Sequence, residues 1–320
     1  MPELPEVETV RRGLSQLIVG KAVRAIEHDW EKSFPNALSD VNKFLVDAKI
    51  IDIRRRAKVL LIDLSTEYTL VIHLKMTGQM VYVRKLELSV ISNQFSAKTE
   101  NRIQATDNIA LPERFGAGHP NASLVGELPD KSTRVTFTFS DGSHLYFNDQ
   151  RKFGWVKLFP TAEVPNVDFM RKLGSEPLAA DFTVQHFREC LMRRPNTNIK
   201  AALLDQTVIA GVGNIYADES LWGAKIHPST LVKNLPEVKF NKLYEELRYV
   251  LNLAIEKGGS TDRNYVNAEG KKGSYLTFAR VFRRENQPCP RCATTILKTR
   301  VAGRGTHICP HCQKLGKISR

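Results

Sequence analysis

The amino-acid sequence predicts an α+β protein whose first half is rich in strands and whose second half is helical. Residues 22–83 contain short runs of β-branched and apolar residues that are separated by polar turns. From about residue 165 onward, apolar residues recur at the spacing of amphipathic helices. Four of the five cysteines fall near the end of the chain, in two Cys-x₂-Cys pairs. At 320 residues the chain has room for two domains and a small appendage.

A helix is predicted directly behind the first residues, which read MPELPEVETV. Pro5 suits the first position of a helix, and the acidic residues behind it favour the positively polarised end. The helix ends at Gly20 after an apolar stripe formed by Val7, Val10, Leu14 and Leu17. This helix accounts for Pro5, but it does not explain why Pro2 and Glu3 precede it.

Five strands are expected next, in the segments VRAIEHDW, KIIDIRRR, VLLIDLS, YTLVIHLKM and GQMVYV. A hairpin follows from RVTFTFS and HLYFND, which an Asp141–Gly142 turn connects. Residues 84–131 are polar and have no period, so we predict a long loop insertion there. Because such a segment buries little apolar surface, we expect residues 86–128 to be flexible and residues 88–127 to be dispensable for folding and activity.

The helical half contains a long amphipathic helix that begins behind Pro236 and ends at Gly258–Gly259. An earlier helical segment reads FRECLMRR, and its Cys190 is interpreted as a core thiol. Both elements are ordinary parts of a helical domain and carry no chemistry of their own.

Two shorter helices, at about residues 198–204 and 214–222, flank a connection that contains two glycines. Asn214 is a natural N-cap for the second of these helices. Free amides at a glycine-rich turn that leads into a helix form an anion site. Because Lys200 lies nearby in a basic chain, we interpret this segment as a clamp for a DNA phosphate.

The net charge of +13 is concentrated near the end of the chain. Residues 280–320 contain ten lysines and arginines but a single acidic residue, Glu285. Such a block is either a solubilising tail or a binding surface for a polyanion, and it neutralises phosphates well. No apolar run approaches the ~20 residues needed to cross a bilayer, and the start lacks the apolar core of a signal peptide. The sequence therefore predicts a cytoplasmic protein that binds no membrane.

The cysteine pairs CPRC and CPHC predict one structural zinc ion. Sixteen residues separate the two pairs, which consist of Cys289, Cys292, Cys309 and Cys312. Two pairs at this spacing supply four thiolates that can close tetrahedrally around zinc. Disulfides are the alternative, and both a cytoplasmic location and the two-residue spacing disfavour them. Four cysteines leave no open coordination position, so the site is not catalytic, and His307 and His311 are interpreted as bystanders.

With these features assembled, the sequence resembles the formamidopyrimidine-DNA glycosylase family. The resemblance covers most of the chain, and its motifs occur in the expected order. They are PELPEVET at the start, RRRAK at 54–58, HLKMTG at 73–78, NDQRKFG at 148–154, the segment IAGVGNIYADESL and the terminal zinc finger.

The resemblance implies three parts. These are a catalytic β-sandwich domain with flanking helices over residues 1–160, a helix-two-turn-helix DNA-binding domain over 161–284 and a β-hairpin zinc finger over 285–320. It also implies a monomeric, nucleoid-associated enzyme of base-excision repair that acts on double-stranded DNA containing damaged bases. Such an enzyme excises oxidised purines, notably 8-oxoguanine and formamidopyrimidines, and then cleaves the strand by β,δ-elimination.

The resemblance also explains the first residues of the chain. It implies that the mature chain begins at Pro2, whose secondary amine is the nucleophile that attacks C1′ of the sugar. An N-terminal amine titrates near pH 8, so a useful fraction is neutral in the cell. The attack yields an iminium ion that acidifies the 2′ proton, and elimination of the two flanking phosphates follows. Glu3 matches the general acid that protonates the leaving base or the sugar ring oxygen.

Further matches concern the handling of the DNA. Lys58 matches the lysine credited with proton donation during β-elimination, and Arg304 matches the arginine that holds the phosphate beside the lesion. A glycosylase must also flip the damaged base out of the duplex and fill the gap. The residues that match this function are Met76, Arg151 and Phe153. Lys200 and Asn214 match residues that contact backbone phosphates.

The sequence departs from the family pattern at three places. The insertion at 84–131 is far longer than the corresponding family loop. Gln150 stands where a proline is usual. Ser132 stands where many members carry a histidine that contacts DNA, and Arg134 is the candidate to replace that contact.

Two other functions fit parts of the sequence. Endonuclease VIII shares the fold and the lyase chemistry but removes oxidised pyrimidines; Leu4 and the trio Met76, Arg151 and Phe153 favour the purine branch. A non-catalytic zinc-finger DNA-binding protein would need only the phosphate clamp and the zinc finger. The four catalytic matches Pro2, Glu3, Lys58 and Arg304 argue against that alternative.

Overall fold

The computed structural model describes residues 2–84, 114–119, 121–260 and 275–315. The α-helices in these ranges are α1 Leu4–Ile18, α2 Leu38–Asp40, α3 Asp168–Arg171, α4 Val184–Met192, α5 Ile199–Leu204, α6 Asn214–Gly223 and α7 Glu237–Glu256. The strands are β1 Val23–His28, β2 Ile50–Arg56, β3 Val59–Leu64, β4 Tyr68–His73, β5 Gly78–Val83, β6 Arg114–Gly118, β7 Thr133–Phe139, β8 His144–Asp149, β9 Trp155–Pro160, β10 Leu297–Val301 and β11 Arg304–Ile308. A π-helical turn, Val41–Leu45, continues α2.

The first half of the chain folds into two antiparallel sheets around one apolar core. One sheet has the strand order β1-β7-β8-β5-β6, and the other has the order β2-β3-β4-β9. Their inner faces share the core with α1, as Leu14 of α1, Ile62 of β3 and Phe147 of β8 show. The predicted β-sandwich with a flanking helix is confirmed, and the predicted strands and hairpin correspond to β1–β5 and β7–β8, with ends that differ by up to three residues.

Helix α1 links the sandwich to the helical half. It begins at Leu4, one residue before the predicted start, and its apolar stripe is buried. The backbone N–H of Leu4 donates to the carbonyl oxygen of Gly211 at 3.1 Å, so the first turn of α1 lies against the glycine-rich connection. The Tyr216 hydroxyl donates to Glu6 Oε1 at 2.5 Å and adds a second link. The start of the chain is therefore held where the two halves meet.

The second half is built from α4 to α7 around its own core. Cys190 is fully buried in this core, as predicted. The hairpin β10–β11 packs against α6, and Trp222 of that helix shares an apolar cluster with Val281 and Ile296. Glu219 of α6 is buried and accepts hydrogen bonds from the backbone N–H groups of Val281 and Phe282 at 2.9 and 2.8 Å. The predicted helical domain with a C-terminal hairpin is thus confirmed.

The prediction for the insertion is wrong for its last third. Residues 114–118 form β6, an edge strand that pairs with β5, and residues 122–124 form a 3₁₀ turn. The Phe115 ring packs so closely on α1 that a Cβ at Gly13 would lie 2.1 Å from its Cζ. Removing residues 88–127 would take a strand from the sheet and uncover α1. The rest of the predicted flexible segment, residues 86–113, lies outside the described residues.

Among the described residues, no helix combines the length and the apolar character that crossing a membrane requires.

Candidate active site at the junction of the two halves

A cavity of about 370 Å³ opens where the sandwich meets the helical half. Glu3 and Lys58 line it from the sandwich side, together with Met76. Asn214 from the start of α6 and Arg304 from the hairpin line it from the other side. The structure therefore brings five of the sequence-predicted site residues to one cavity, whose volume is typical of small-ligand pockets.

Glu3 lines this cavity and is only 4% exposed. Burial raises the pKa of Glu3 to about 7, while the nearby Lys58 ammonium acts in the opposite direction. Its Oε2 atom is buried without a hydrogen-bond partner among the described residues. A carboxyl group in this state carries a proton for about half of the time at neutral pH, which suits a general acid.

The close approach of Glu3 to α6 depends on Gly213. A Cβ at position 213 would lie 1.9 Å from Cδ of Glu3, so a larger residue there would displace the Glu3 carboxyl group from this position. Gly213 is also the N-cap of α6, so Asn214 is the first helical residue and not the cap that the sequence predicted. The Asn214 side chain instead donates from Nδ2 to the carbonyl oxygen of Gly305 at 3.0 Å. The glycine-rich turn therefore makes room for a carboxyl group of this chain.

Lys58 is buried between the same two halves. Its ammonium donates to the carbonyl oxygen of Val212 at 2.9 Å. Burial lowers the pKa of Lys58, and the Glu3 carboxylate opposes that shift. A buried lysine with a lowered pKa can exchange a proton near neutral pH more readily than a surface lysine. Pro2 is buried directly before Glu3, so its nitrogen lies at the same junction.

The three arginines that precede Lys58 in the RRRAK motif are paired. Arg54 binds Asp63, with 2.8 Å between Nη2 and Oδ1. Arg55 binds both Glu8 and Glu176, at 3.1 and 3.0 Å. These contacts connect β2 to α1 and to the segment that leads into the helical half. The motif therefore stabilises the junction that holds Lys58.

Met76, Arg151 and Phe153 lie on two neighbouring turns of the sandwich. Arg151 and Phe153 are exposed, and the guanidinium carbon of Arg151 lies 4.8 Å from the centroid of the Phe153 ring. Asp149 holds both turns, because its carboxylate accepts from the Thr77 hydroxyl and from the backbone N–H groups of Phe153 and Gly154. Asp149 was missed as a positioning residue, although it stands inside the quoted NDQRKFG motif.

Lys200 is buried in the structure, with 0% of its side chain exposed. Its ammonium binds Asp218 at 2.6 Å and donates to the carbonyl oxygen of Gly305 and the hydroxyl of Thr306 at 3.0 and 2.7 Å. These partners hold the hairpin on α6, directly behind Arg304. The structure gives Lys200 a role in positioning the hairpin, and its predicted phosphate contact stays a prediction.

Neither Ser132 nor Arg134 reaches the protein surface, so the suggested replacement of a histidine contact by Arg134 is wrong. Arg134 is 3% exposed, its guanidinium pairs with Asp29, and its Nε donates to the carbonyl oxygen of Asp149 at 2.9 Å. Ser132 is buried too, and its hydroxyl donates to Asp130 at 2.7 Å. Arg134 therefore supports the turn that carries Arg151.

The four cysteines of the hairpin converge on one point. The Sγ atoms of Cys289, Cys292, Cys309 and Cys312 lie within 4.8 Å of one another. Individual Sγ–Sγ distances of 3.4, 3.5 and 4.0 Å are close to the ~3.8 Å edge of a tetrahedron with zinc–sulfur bonds of ~2.3 Å. The predicted structural zinc fits these residues. His307 is not part of the group, and its backbone N–H donates to Asp218 at 2.9 Å.

Loss of the zinc ligands is expected to displace Arg304 without unfolding the sandwich. We expect metal analysis to find one zinc ion per wild-type chain and none in Cys292→Ser, and we expect this variant to bind DNA at least tenfold more weakly. The reason is that the metal closes the hairpin whose turn carries Arg304. Cys190→Ala is the matched control, since that buried thiol is no ligand. A Cys292→Ser protein with one zinc and wild-type affinity would contradict the assignment.

Comparisons with known proteins agree along the whole chain. The profile of the formamidopyrimidine-DNA glycosylase N-terminal domain matches residues 1–156, that of the H2TH domain of this enzyme matches 173–265, and that of the zinc finger found in FPG and IleRS matches 286–315. The formamidopyrimidine-DNA glycosylase of Pelotomaculum thermopropionicum is 38% identical over 98% of this chain and 100% of its own length.

Solved structures give the same result. The Lactococcus lactis Fpg in complex with DNA containing an abasic site has a TM-score of 0.79 and 33% identity, over 98% of this chain and 100% of that one. The wild-type Lactococcus lactis Fpg with DNA containing N7-benzyl-Fapy-dG has a TM-score of 0.78 at the same identity and coverage. The buried Glu3, the cavity and the four-cysteine hairpin thus stand on a known scaffold, and the chain belongs to the formamidopyrimidine-DNA glycosylase family.

Proposed function

We propose that this protein is a bifunctional DNA glycosylase and abasic-site lyase of base-excision repair that excises oxidised purines from double-stranded DNA. The observation that carries the proposal is the burial of Pro2 and Glu3 at the start of the chain, where Glu3 lines one cavity together with Lys58 and the exposed Arg304. Family membership supports the same activity, because the named relatives are formamidopyrimidine-DNA glycosylases.

The proposed reaction begins at the amine of Pro2. Its nitrogen forms a bond to C1′ of the damaged nucleotide, the glycosidic bond breaks, and the base leaves with the electron pair. Glu3, whose pKa lies at about 7, donates the proton that neutralises the leaving base or the sugar ring oxygen. Loss of the amine proton and opening of the sugar ring leave an iminium ion between Pro2 and C1′.

Strand cleavage then follows by two eliminations. The iminium withdraws electrons, so the 2′ proton is removed and the C3′–O3′ bond breaks with release of the 3′ phosphate. A second elimination breaks the C5′–O5′ bond. We assign Lys58 to proton transfer in the first elimination, since its pKa is lowered and it lies on the same cavity as Glu3. Arg304 would hold the phosphate beside the lesion, because a guanidinium binds a phosphate through two parallel hydrogen bonds.

DNA would approach across the exposed turns of both halves. Met76 and Phe153 would wedge into the base stack, and Arg151 would bond the orphaned partner base. Asn214 and the region around Lys200 would contact the backbone. The cavity behind Met76 would receive the flipped nucleotide. We also propose a cytoplasmic, nucleoid-associated monomer with domains at 1–160, 161–284 and 285–320.

Trapping with borohydride tests this function directly. Incubation with duplex DNA that contains 8-oxoguanine opposite cytosine is expected to give a covalent protein–DNA adduct, because borohydride reduces the iminium to a stable amine. A parallel duplex with an oxidised pyrimidine separates this function from that of endonuclease VIII. Stronger trapping on the pyrimidine lesion would favour endonuclease VIII. Binding without any adduct would favour the non-catalytic alternative and overturn the proposal.

A further inference from the structure

The inserted segment delivers a histidine to the active-site cavity. Strand β6 runs antiparallel to β5, and its last residue, Gly118, pairs with Gln79. The next residue is His119, which lines the same cavity as Glu3, Lys58 and Met76. No step of the proposed reaction uses this histidine.

The backbone of His119 is fixed beside the turn that carries Met76. Its N–H donates to the carbonyl oxygen of Gly78 at 3.0 Å, and its own carbonyl oxygen accepts from the side-chain amide of the buried Gln79. Gly118 has φ of +125°, and a Cβ there would lie 2.5 Å from the Gly78 oxygen. Only glycine permits this approach, so the chain is shaped to bring position 119 against residues 78 and 79.

The environment of His119 favours the neutral ring. Burial lowers the pKa of His119 below its ordinary value. A neutral imidazole carries one hydrogen-bond donor and one acceptor, which suits the polar edge of a base. A phosphate would be better matched by a charged group, and the cavity already has Arg304 for that purpose.

We propose that His119 is a specificity-determining residue that hydrogen-bonds the flipped, damaged base in the cavity. The proposal rests on the proposed function, since it assumes that a damaged nucleotide enters this cavity. The insertion thereby gives the enzyme a base contact from the sandwich side, next to the wedge residue Met76. An abasic nucleotide offers no base edge, so the contact is absent with that substrate.

Substrates with and without a base test the proposal. We expect His119→Ala to excise 8-oxoguanine about tenfold more slowly under single-turnover conditions, the cost of one lost hydrogen bond. Cleavage of a preformed abasic site should stay within about twofold of wild type. His119→Gln, which keeps a donor and an acceptor, should recover part of the excision rate. His144→Ala is the matched control, because His144 pairs with Val83 at the far end of β5 from Gly78.

Three results would overturn the inference. In the first, His119→Ala excises 8-oxoguanine at the wild-type rate. In the second, His119→Ala loses abasic-site cleavage to the same extent as excision, and this equal loss would indicate a defect in folding or in strand binding. His144→Ala could also reproduce the effect. A wild-type protein that excises no 8-oxoguanine but cleaves abasic sites would instead overturn the proposed lesion class, so the two failures are distinguishable.

Discussion

Replacing Pro2 with glycine is expected to reduce strand cleavage about a hundredfold, a loss of about 2.7 kcal/mol of transition-state stabilisation, while DNA affinity is retained. The secondary amine of proline can form only a permanently charged iminium, whereas a primary amine forms an imine that loses its proton. The variant therefore has a weaker electron sink for both eliminations. Affinity persists because the cavity, the exposed turns and Arg304 are unchanged.

Two measurements check this result on the same protein. Single-turnover cleavage of an abasic-site duplex reports the lyase step, and titration of DNA carrying an uncleavable abasic analogue reports affinity. Pro5→Ala is the matched control, since Pro5 is a proline in the first turn of α1 without a role in the reaction. Full strand cleavage by the Pro2→Gly protein would refute the requirement for a permanently charged iminium at this residue.

Local features of the sequence predicted most of the sandwich. Runs of β-branched and apolar residues predicted β2, β3 and β4, and the Asp141–Gly142 turn predicted the hairpin β7–β8. The cysteine spacing likewise predicted the zinc site, because two Cys-x₂-Cys pairs bring their own ligands together locally. Signals of this kind lie within a few residues of one another, so they can be recognised without knowledge of the tertiary structure.

Strand β6 could not be recognised in that way. Its sequence, RFGAG, contains two glycines and an alanine, which have little intrinsic tendency to form a strand. The strand forms because β5 offers an unpaired edge and because Phe115 packs on Gly13 of α1. Both partners lie far away in the sequence. For the same reason, no local pattern indicated that His119 would reach the cavity.

The electrostatics of the site also depend on distant pairings. Lys200 stands near a glycine-rich turn, and this neighbourhood suggested a phosphate ligand, but Asp218 of the next helix binds its ammonium inside the protein. Glu3 was matched to a general acid through the resemblance alone, and its burial became evident only in the structure, where Gly213 allows it to lie against α6. Only the packing of the two halves determines which charged groups are buried and which are exposed.

The buried state of Glu3 predicts the pH dependence of base excision. Because the pKa of Glu3 is raised to about 7, the carboxyl group loses its proton as the pH rises through neutrality. Above about pH 8, where the Pro2 amine is already neutral, the excision rate should therefore fall about tenfold per pH unit. The Pro2 amine acts in the opposite direction, since it must be neutral to attack, so the rate should also fall at acidic pH. Together the two groups give a bell-shaped profile.

Glu3→Gln is expected to lower the excision rate by about a hundredfold or more and to remove the alkaline limb of that profile. The amide keeps the size of the side chain and can still donate a hydrogen bond, but it cannot transfer a proton to the departing base. Lesion DNA should bind as tightly as before, because Glu3 is buried and the exposed Arg151, Phe153 and Arg304 are unchanged. Single-turnover excision of 8-oxoguanine between pH 5.5 and about 9 measures both effects.

Glu27→Gln, at an exposed carboxylate of β1, controls for the change of charge. If the Glu3→Gln protein keeps the alkaline limb, another group supplies the proton, and Glu3 does not act as the general acid.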